Sequence, residues 1–268
     1  MTVSERPGLG VLLDIDGVLY VGDEPIEGAR EALARLRELA AGVRLVTNTT
    51  SRSRRAVLEH LRELGFEVAQ EEVLTPAAMA VRHCVERGYD SVAVLVSEGL
   101  AEDLAPLKPV ELGPSAQAIV LGDLGDGFTP ELLNRAFRVL MEGAELVALQ
   151  HNRFWRRADG LALDVGAYAA ALEYASGCEA TVVGKPARAF FAAALADMGL
   201  RRGVMVGDDV EADVCGAIAA GLAGVLVRTG KFRVEALTLL RDGPAASVVD
   251  SIADVPALLA ADGPDPGA

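Results

Sequence analysis

Histidine and cysteine are scarce in this chain of 268 residues, with three of each. Cys84, Cys178 and Cys215 lie far apart and form no Cys-x-x-Cys pair. That argues against a disulfide framework and for a reducing compartment. His60, His83 and His151 share no metal-ligand spacing, which argues against structural zinc. Basic residues are outnumbered: 25 Lys and Arg stand against 39 Asp and Glu, a net charge of −14. A chain of that sign repels a phosphate backbone, so nucleic acid is not an expected partner. Long apolar runs are missing as well. The longest uncharged one, Val214 to Val227, carries Gly216, Gly221 and Gly224 and is too short to span a bilayer. The N-terminal segment offers only Val11-Leu12-Leu13 before Asp14, which is no signal peptide, so a cytoplasmic protein without a membrane partner is expected. There is no Walker A loop and no Gly-x-Ser-x-Gly elbow. Gly8-Leu9-Gly10 precedes its strand and lacks the third glycine of a dinucleotide loop.

What is present is a chain with 51% hydrophobic residues, enough for a sizeable core. Short apolar runs alternate with amphipathic stretches. Strands are predicted at Gly10 to Leu13, Val43 to Val46, Ser91 to Val96, Ala118 to Leu121, Leu146 to Leu149, Thr181 to Val183, Gly203 to Val206 and Gly224 to Val227. Helices are predicted at Gly28 to Ala41, Ser53 to Leu64, Pro130 to Met141, Pro186 to Met198 and Val210 to Ala220. Strands alternating with helices predict an α/β fold on a parallel, Rossmann-like sheet. The segment Ala261 to Ala268 reads as a frayed tail.

Polar residues follow the strands in a telling way. Asp14 and Asp16 follow the first, Thr47 and Asn48 the second. Lys185 follows Val182-Val183-Gly184, and Asp208 and Asp209 follow Val204-Met205-Val206-Gly207. In an open parallel sheet all the carboxyl ends share one edge, where ligands bind. Four sequence-distant clusters are therefore expected to meet, and carboxylates, a hydroxyl, an amide and one ammonium suit a divalent cation and a phosphate. From Asp14 to Thr47 is 33 residues and from Lys185 to Asp208 is 23, each one crossover unit. From Thr47 to Lys185 is 138, too long for one crossover. An inserted α/β domain over residues 78–178 is the economical explanation, with residues 1–77 and 179–268 forming the core.

Each piece has a plainer reading. Asp-x-Asp pairs are often solvated loop residues, but Gly17 permits a sharp turn that returns both carboxylates to one point. An EF-hand fails, because position 18 is Val18. One of Thr49, Thr50 or Ser51 is expected to cap the helix that follows. Pro186 suits the first turn of a helix after Lys185. Asp209 and Asp213 suit a helix N-terminus by their charge, and Asp208, directly after Gly207, is the better metal ligand. His151-Asn152-Arg153-Phe154-Trp155-Arg156-Arg157 is either a solvated loop or a substrate contact.

Asp14-Ile15-Asp16-Gly17-Val18-Leu19-Tyr20, Thr47-Asn48, Lys185-Pro186 and Gly207-Asp208-Asp209 resemble, in order, the four motifs of the haloacid dehalogenase superfamily of phosphatases. The insertion between the second and third motifs resembles the class IIA cap subgroup. Thr47-Asn48-Thr49-Thr50 is similar to the phospholysine phosphohistidine inorganic pyrophosphate phosphatase branch. Gly160-Leu161-Ala162-Leu163-Asp164-Val165-Gly166 departs from the usual Pro-Gly of the subgroup's cap loop. The resemblance implies a Mg²⁺-dependent phosphatase in which Asp14 attacks phosphorus and forms an aspartyl-phosphate. It implies that Asp16 is the general acid and base, and that Asp14, Asp208 and the carbonyl of Asp16 hold the metal. It gives Thr47, Asn48 and Lys185 the phosphoryl oxygens, with Asp209 and Asp213 in support. Mg²⁺ and Lys185 would then form a small positive pocket inside an acidic protein. The implied partner is a small phosphorylated substrate, and a cap-mediated homodimer is a further expectation.

Two rivals are weighed. A dehalogenase on the same fold needs neither an acid for an alkoxide nor a metal, so Asp16 and Asp208 would be idle. A catalytically silent phosphate-binding or dimerising scaffold would have no need of the complete motif set.

Overall fold

The computed structural model describes residues 8–157, 160–240 and 246–261, without the side chains of residues 156 and 157. Most of the expected tail after Ala261 lies outside the described residues. In chain order the elements begin with strand β1 (Leu9–Asp14), hairpin strands β2 (Tyr20–Val21) and β3 (Glu24–Pro25), helix α1 (Ala29–Leu39), β4 (Gly42–Val46), α2 (Arg54–Glu63) and β5 (Val73–Leu74). Next come α3 (Pro76–Arg87), β6 (Val92–Leu95), α4 (Glu98–Leu104), β7 (Ala118–Leu121), α5 (Pro130–Met141), β8 (Glu145–Ala148), β9 (Phe154–Arg157), β10 (Gly160–Leu163), α6 (Val165–Ser176) and β11 (Thr181–Val182). The chain then runs through α7 (Arg188–Ala196), β12 (Arg202–Gly207), a π-helical turn (Val210–Cys215), α8 (Gly216–Ala219), β13 (Ala223–Val227), β14 (Ala246–Val249) and α9 (Val255–Ala260).

The chain divides into two compact units. One comprises the described part of Met1–Thr47, Leu58–Leu74 and Lys185–Ala268. Its six-stranded sheet has the order β14-β13-β12-β1-β4-β5, with every neighbouring pair parallel. The central strand is covered on both faces, so Val11, Leu12 and Leu13 read as an unbroken apolar run and are fully buried. Each such side chain contributes about 1.5–3 kcal/mol relative to exposure. Gly10, which the sequence sets beside a dinucleotide-like pattern, has a packing role instead. A Cβ there would lie 2.8 Å from Leu195 of α7, and one on Gly203 would lie 2.7 Å from the same side chain. The two bare backbones let α7 sit close against the sheet.

The second unit comprises Asn48–Val57 and Thr75–Gly184. Its four-stranded sheet, β11-β8-β7-β6, is parallel throughout. Helices start where hydroxyls can take free N–H groups. Thr75 accepts from Ala78 N at 3.3 Å and Thr129 from Leu132 N at 3.2 Å, each followed by a proline at the first helical position. On α5, Ala136, Val139 and Leu140 are buried at helical spacing and join Ile119, Leu121, Leu146 and Leu172 in one core. A carboxylate lock sits at the N-terminal end of β8. Glu145 accepts from His83 Nε2 at 2.9 Å, Tyr89 Oη at 2.5 Å and Thr181 Oγ1 at 2.5 Å.

Three expectations are corrected here. The cap of α2 is Ser53, whose Oγ accepts from Ala56 N at 3.2 Å, and not Thr49, Thr50 or Ser51, because the helix starts later than its polar lead-in. Pro186 precedes α7 and stands outside its first turn. Of the stretch His151 to Arg157, read as a solvated loop or a substrate contact, the last four residues form strand β9, paired antiparallel with β10.

Candidate active site

Sheet register brings the site together. Asp14, the last residue of β1, pairs with Val46 of β4, so Thr47 comes one step further along. On the other side Leu13 pairs with Val206 of β12, which sets Asp208 just past the carboxyl end of that strand. Gly207 in turn pairs with Leu226 of β13, so the segment after Val227 leaves the same sheet edge. This parallel register meets the expectation of one shared edge for Asp14, Thr47 and Asp208, but not for Lys185, which follows β11 of the four-stranded sheet and meets Asp14 and Asp213 through its side chain.

Asp14, Thr47, Lys185, Asp208 and Asp213 are all buried. Lys185 Nζ donates to Asp14 Oδ1 at 2.8 Å and lies 2.6 Å from Asp213 Oδ1. Single carboxylate oxygens of Asp14, Asp208 and Asp213 all lie within 4.8 Å of one another. The third carboxylate of this cluster is Asp213; Asp16, expected to reach a metal through its main-chain carbonyl, is exposed. Asp209 caps the π-helical turn, accepting from Glu211 N at 3.1 Å and Ala212 N at 3.0 Å. Its own N–H donates to Asp213 Oδ2 at 3.2 Å. Thr47 donates its backbone N–H to Leu74 O at 3.3 Å. Asn48 opens the second unit, where its Oδ1 lies close enough to Gly184 that a Cβ there would meet it at 2.8 Å.

The electrostatics follow from burial. Burial pushes the Asp208 carboxyl above the ordinary carboxylate range, and the charge of Asp14 pushes the same way. Burial also raises Asp213; Lys185 opposes that rise without cancelling it, and Asp14 adds to it. Burial alone would lower the Lys185 ammonium, but Asp14 and Asp213 overcome it and hold it above its ordinary value. Three buried carboxylates stand against one buried ammonium, Lys185, with the more exposed Lys231 ammonium acting on them as well, which still leaves an excess of acidic groups. Asp208 Oδ1 is buried and accepts no hydrogen bond. An orphaned anionic oxygen in an all-oxygen donor set fits a hard divalent cation such as Mg²⁺.

Reading the sequence missed the segment Thr229-Gly230-Lys231. Lys231 N donates to Asp208 Oδ2 at 2.7 Å, and the Thr229 hydroxyl donates to the carbonyl of Gly17. The signal was available, since these polar residues follow the strand ending at Val227. Gly207 also earns its place by space: a Cβ on it would lie 2.2 Å from Asp213 Oδ2.

The haloacid dehalogenase-like hydrolase family matches residues 11–107, and a second, HAD-hydrolase-like family matches residues 182–255. A haloacid dehalogenase-like hydrolase domain-containing protein 2 from Bos taurus is 41% identical over 232 residues, 86% of this chain and 88% of that one. The phospholysine phosphohistidine inorganic pyrophosphate phosphatase of Rattus norvegicus is 41% identical over 84% of each chain. Among solved structures, a glycerol phosphate phosphatase from Mycobacterium tuberculosis in complex with magnesium superposes with a TM-score of 0.81 at 29% identity, covering 97% of this chain and 80% of that one. Among the described residues no helix is long and apolar enough to cross a membrane. With relatives of this likeness across most of its length, the chain belongs to the haloacid dehalogenase-like hydrolases, in their class IIA phosphatase branch.

Proposed function

We propose that the protein is a Mg²⁺-dependent phosphatase that hydrolyses a small phosphorylated molecule through an aspartyl-phosphate. The observation that carries this is the buried cluster of Asp14, Asp208 and Asp213 around Lys185. A carboxylate of Asp14 attacks phosphorus as the bond to the leaving oxygen breaks. Asp16 gives that oxygen its proton, then takes one from the water that cleaves the acyl phosphate, releasing inorganic phosphate and restoring Asp14. Lys185, Thr47 and Asn48 bind the phosphoryl oxygens as their charge shifts. Asp213 holds the ammonium of Lys185, and Asp209 holds the turn that carries Asp213. Asp14, Asp208 and the main-chain carbonyl of Asp16 would hold the cation. When bound, Mg²⁺ supplies positive charge that offsets the carboxylates and the phosphoryl group. The insertion between Thr47 and Lys185 serves as the cap domain that selects among substrates. The names of the relatives, one a phosphatase of phosphoramidates and pyrophosphate and one of glycerol phosphate, support a small substrate.

The test is phosphate release from an aryl phosphate by the purified protein, with Mg²⁺ or with a chelator. Turnover should require the metal, and Asp14→Asn should abolish it while leaving the circular dichroism spectrum intact. Mass spectrometry of acid-quenched wild-type enzyme should find a phosphoryl adduct on Asp14. Near-wild-type turnover by Asp14→Asn would sink the covalent route, and a chain inert on every phosphate ester would return the silent-scaffold reading.

A further inference from the structure

The two oxygens of Asp208 have unlike surroundings. Oδ2 takes the main-chain N–H of Lys231 at 2.7 Å. It is also walled in by backbone from two loops. A Cβ on Gly17 would lie 1.9 Å from Oδ2, and one on Gly230 would lie 2.0 Å from it. Both glycines have positive φ, +82° and +58°, which other residues rarely adopt. The loops are tied to each other by the Thr229 hydroxyl on the Gly17 carbonyl, and Gly17 N is fixed to Tyr20 O at 2.8 Å. Oδ1, by contrast, is buried with no donor. A buried anionic oxygen without a partner is costly, and a cation removes that cost.

We infer that the Thr229-Gly230-Lys231 loop is a positioning element that makes Asp208 a one-oxygen metal ligand and thereby sets a preference for a small octahedral cation over a larger one. The inference rests on the metal-dependent reading above. Mg²⁺ demands six ligands at about 2.0–2.1 Å, whereas Ca²⁺ takes six to eight at about 2.3–2.6 Å and readily accepts both oxygens of one carboxylate. With Oδ2 committed to an N–H and enclosed by backbone, Asp208 cannot turn to present both. The donor is main chain, so the Lys231 side chain, largely exposed with its Nζ 3.8 Å from Asp209 Oδ2, is not what does this.

The experiment is calorimetric titration of the full-length protein with MgCl₂ and, separately, CaCl₂, without substrate. Gly230→Ala drives a Cβ into Oδ2. It should weaken Mg²⁺ roughly 10–100-fold, the range for losing a group that orients a ligand, and weaken Ca²⁺ less. The ratio of the Ca²⁺ to the Mg²⁺ dissociation constant should then fall by at least about fivefold. Thr229→Val loosens the loop without a collision and should move the ratio the same way by about two- to threefold, which decides the matter if Gly230→Ala fails to fold. Lys231→Ala keeps the main-chain donor and removes a cation, so both constants should shift together, with the ratio held within about twofold. A wild-type ratio in Thr229→Val and in a folded Gly230→Ala would overturn the inference, as would a ratio moved by Lys231→Ala alone. A wild-type chain that binds neither ion would overturn the metal-dependent reading as well. One that binds Mg²⁺ while the loop variants keep its ratio would overturn the loop's role only.

Discussion

Lys185 holds two buried aspartates at once, and that makes it a residue on which the fold depends. Lys185→Met would leave Asp14, Asp208 and Asp213 without their ammonium. Breaking a buried pair by removing one partner costs about 3–5 kcal/mol. We expect a loss of that size in denaturant unfolding without divalent cation, and part of it recovered on adding Mg²⁺. An unchanged midpoint would mean that the carboxylates do not carry the charge assigned to them. Asp16 predicts something different, because it is exposed and outside the cluster. Asp16→Asn should slow the first step far more on alkyl phosphates than on aryl phosphates, whose leaving groups need little protonation. Equal losses in single-turnover measurements would remove the acid role. These residues were legible because each follows an apolar strand directly. Thr229 and Lys231 obey the same rule after Val227 and share the chemistry of Thr47 and Lys185, so they were as legible as those two and were missed. The part played by Asp213 was legible only as a guess, since its link to Lys185 passes through space.

Among the elements, those with long periodic patterns were read correctly. Helix α5 and strand β7 fall where apolar spacing puts them, because each has one buried face or none exposed. The hairpin strands β2 and β3 and strand β5 have two residues apiece, too few to show any period. Strands β9 and β10 escaped because Phe154, Leu161 and Leu163 are exposed, so burial imposes no alternation there. The stretch from Val210 looked like one helix and is a π-helical turn followed by α8. The lock at the start of β8 makes a pH prediction. Burial alone would raise Glu145, but the bonds from Thr181, Tyr89 and His83 outweigh it and hold the carboxyl below its ordinary value of 4.5. A lowered carboxyl adds stability that is complete above that ordinary value and disappears as the pH falls through the folded-state value. Wild type and Glu145→Gln should therefore melt apart at neutral pH and converge on acidification below 4.5. Curves that stay parallel into acid would show that the carboxylate charge plays no part.

For the whole molecule, a net charge of −14 opposes the approach of any anionic substrate. Raising ionic strength from about 0.01 to 0.1 M shortens the screening length from about 30 to 10 Å. That damps the distant repulsion and spares contacts a few ångströms long. At fixed Mg²⁺, kcat/KM for a dianionic phosphate ester should rise by about two- to fivefold over that range. A fall would mean that local attraction at the site, and not the net charge of the molecule, governs encounter. The order of the sheet also has a consequence in time. Strand β1 is made among the first residues, and it finds β4 on one side almost at once. Its other side waits for β12, whose residues begin at Arg202. The Gly17 carbonyl waits longer still, for a hydroxyl 212 residues downstream. At about 5–20 residues per second of synthesis, that is roughly 10–40 s. For most of that interval the nascent chain carries an apolar strand with an open edge, a natural client for a ribosome-associated chaperone. An enzyme built this way cannot act on its substrate until almost all of it has been made.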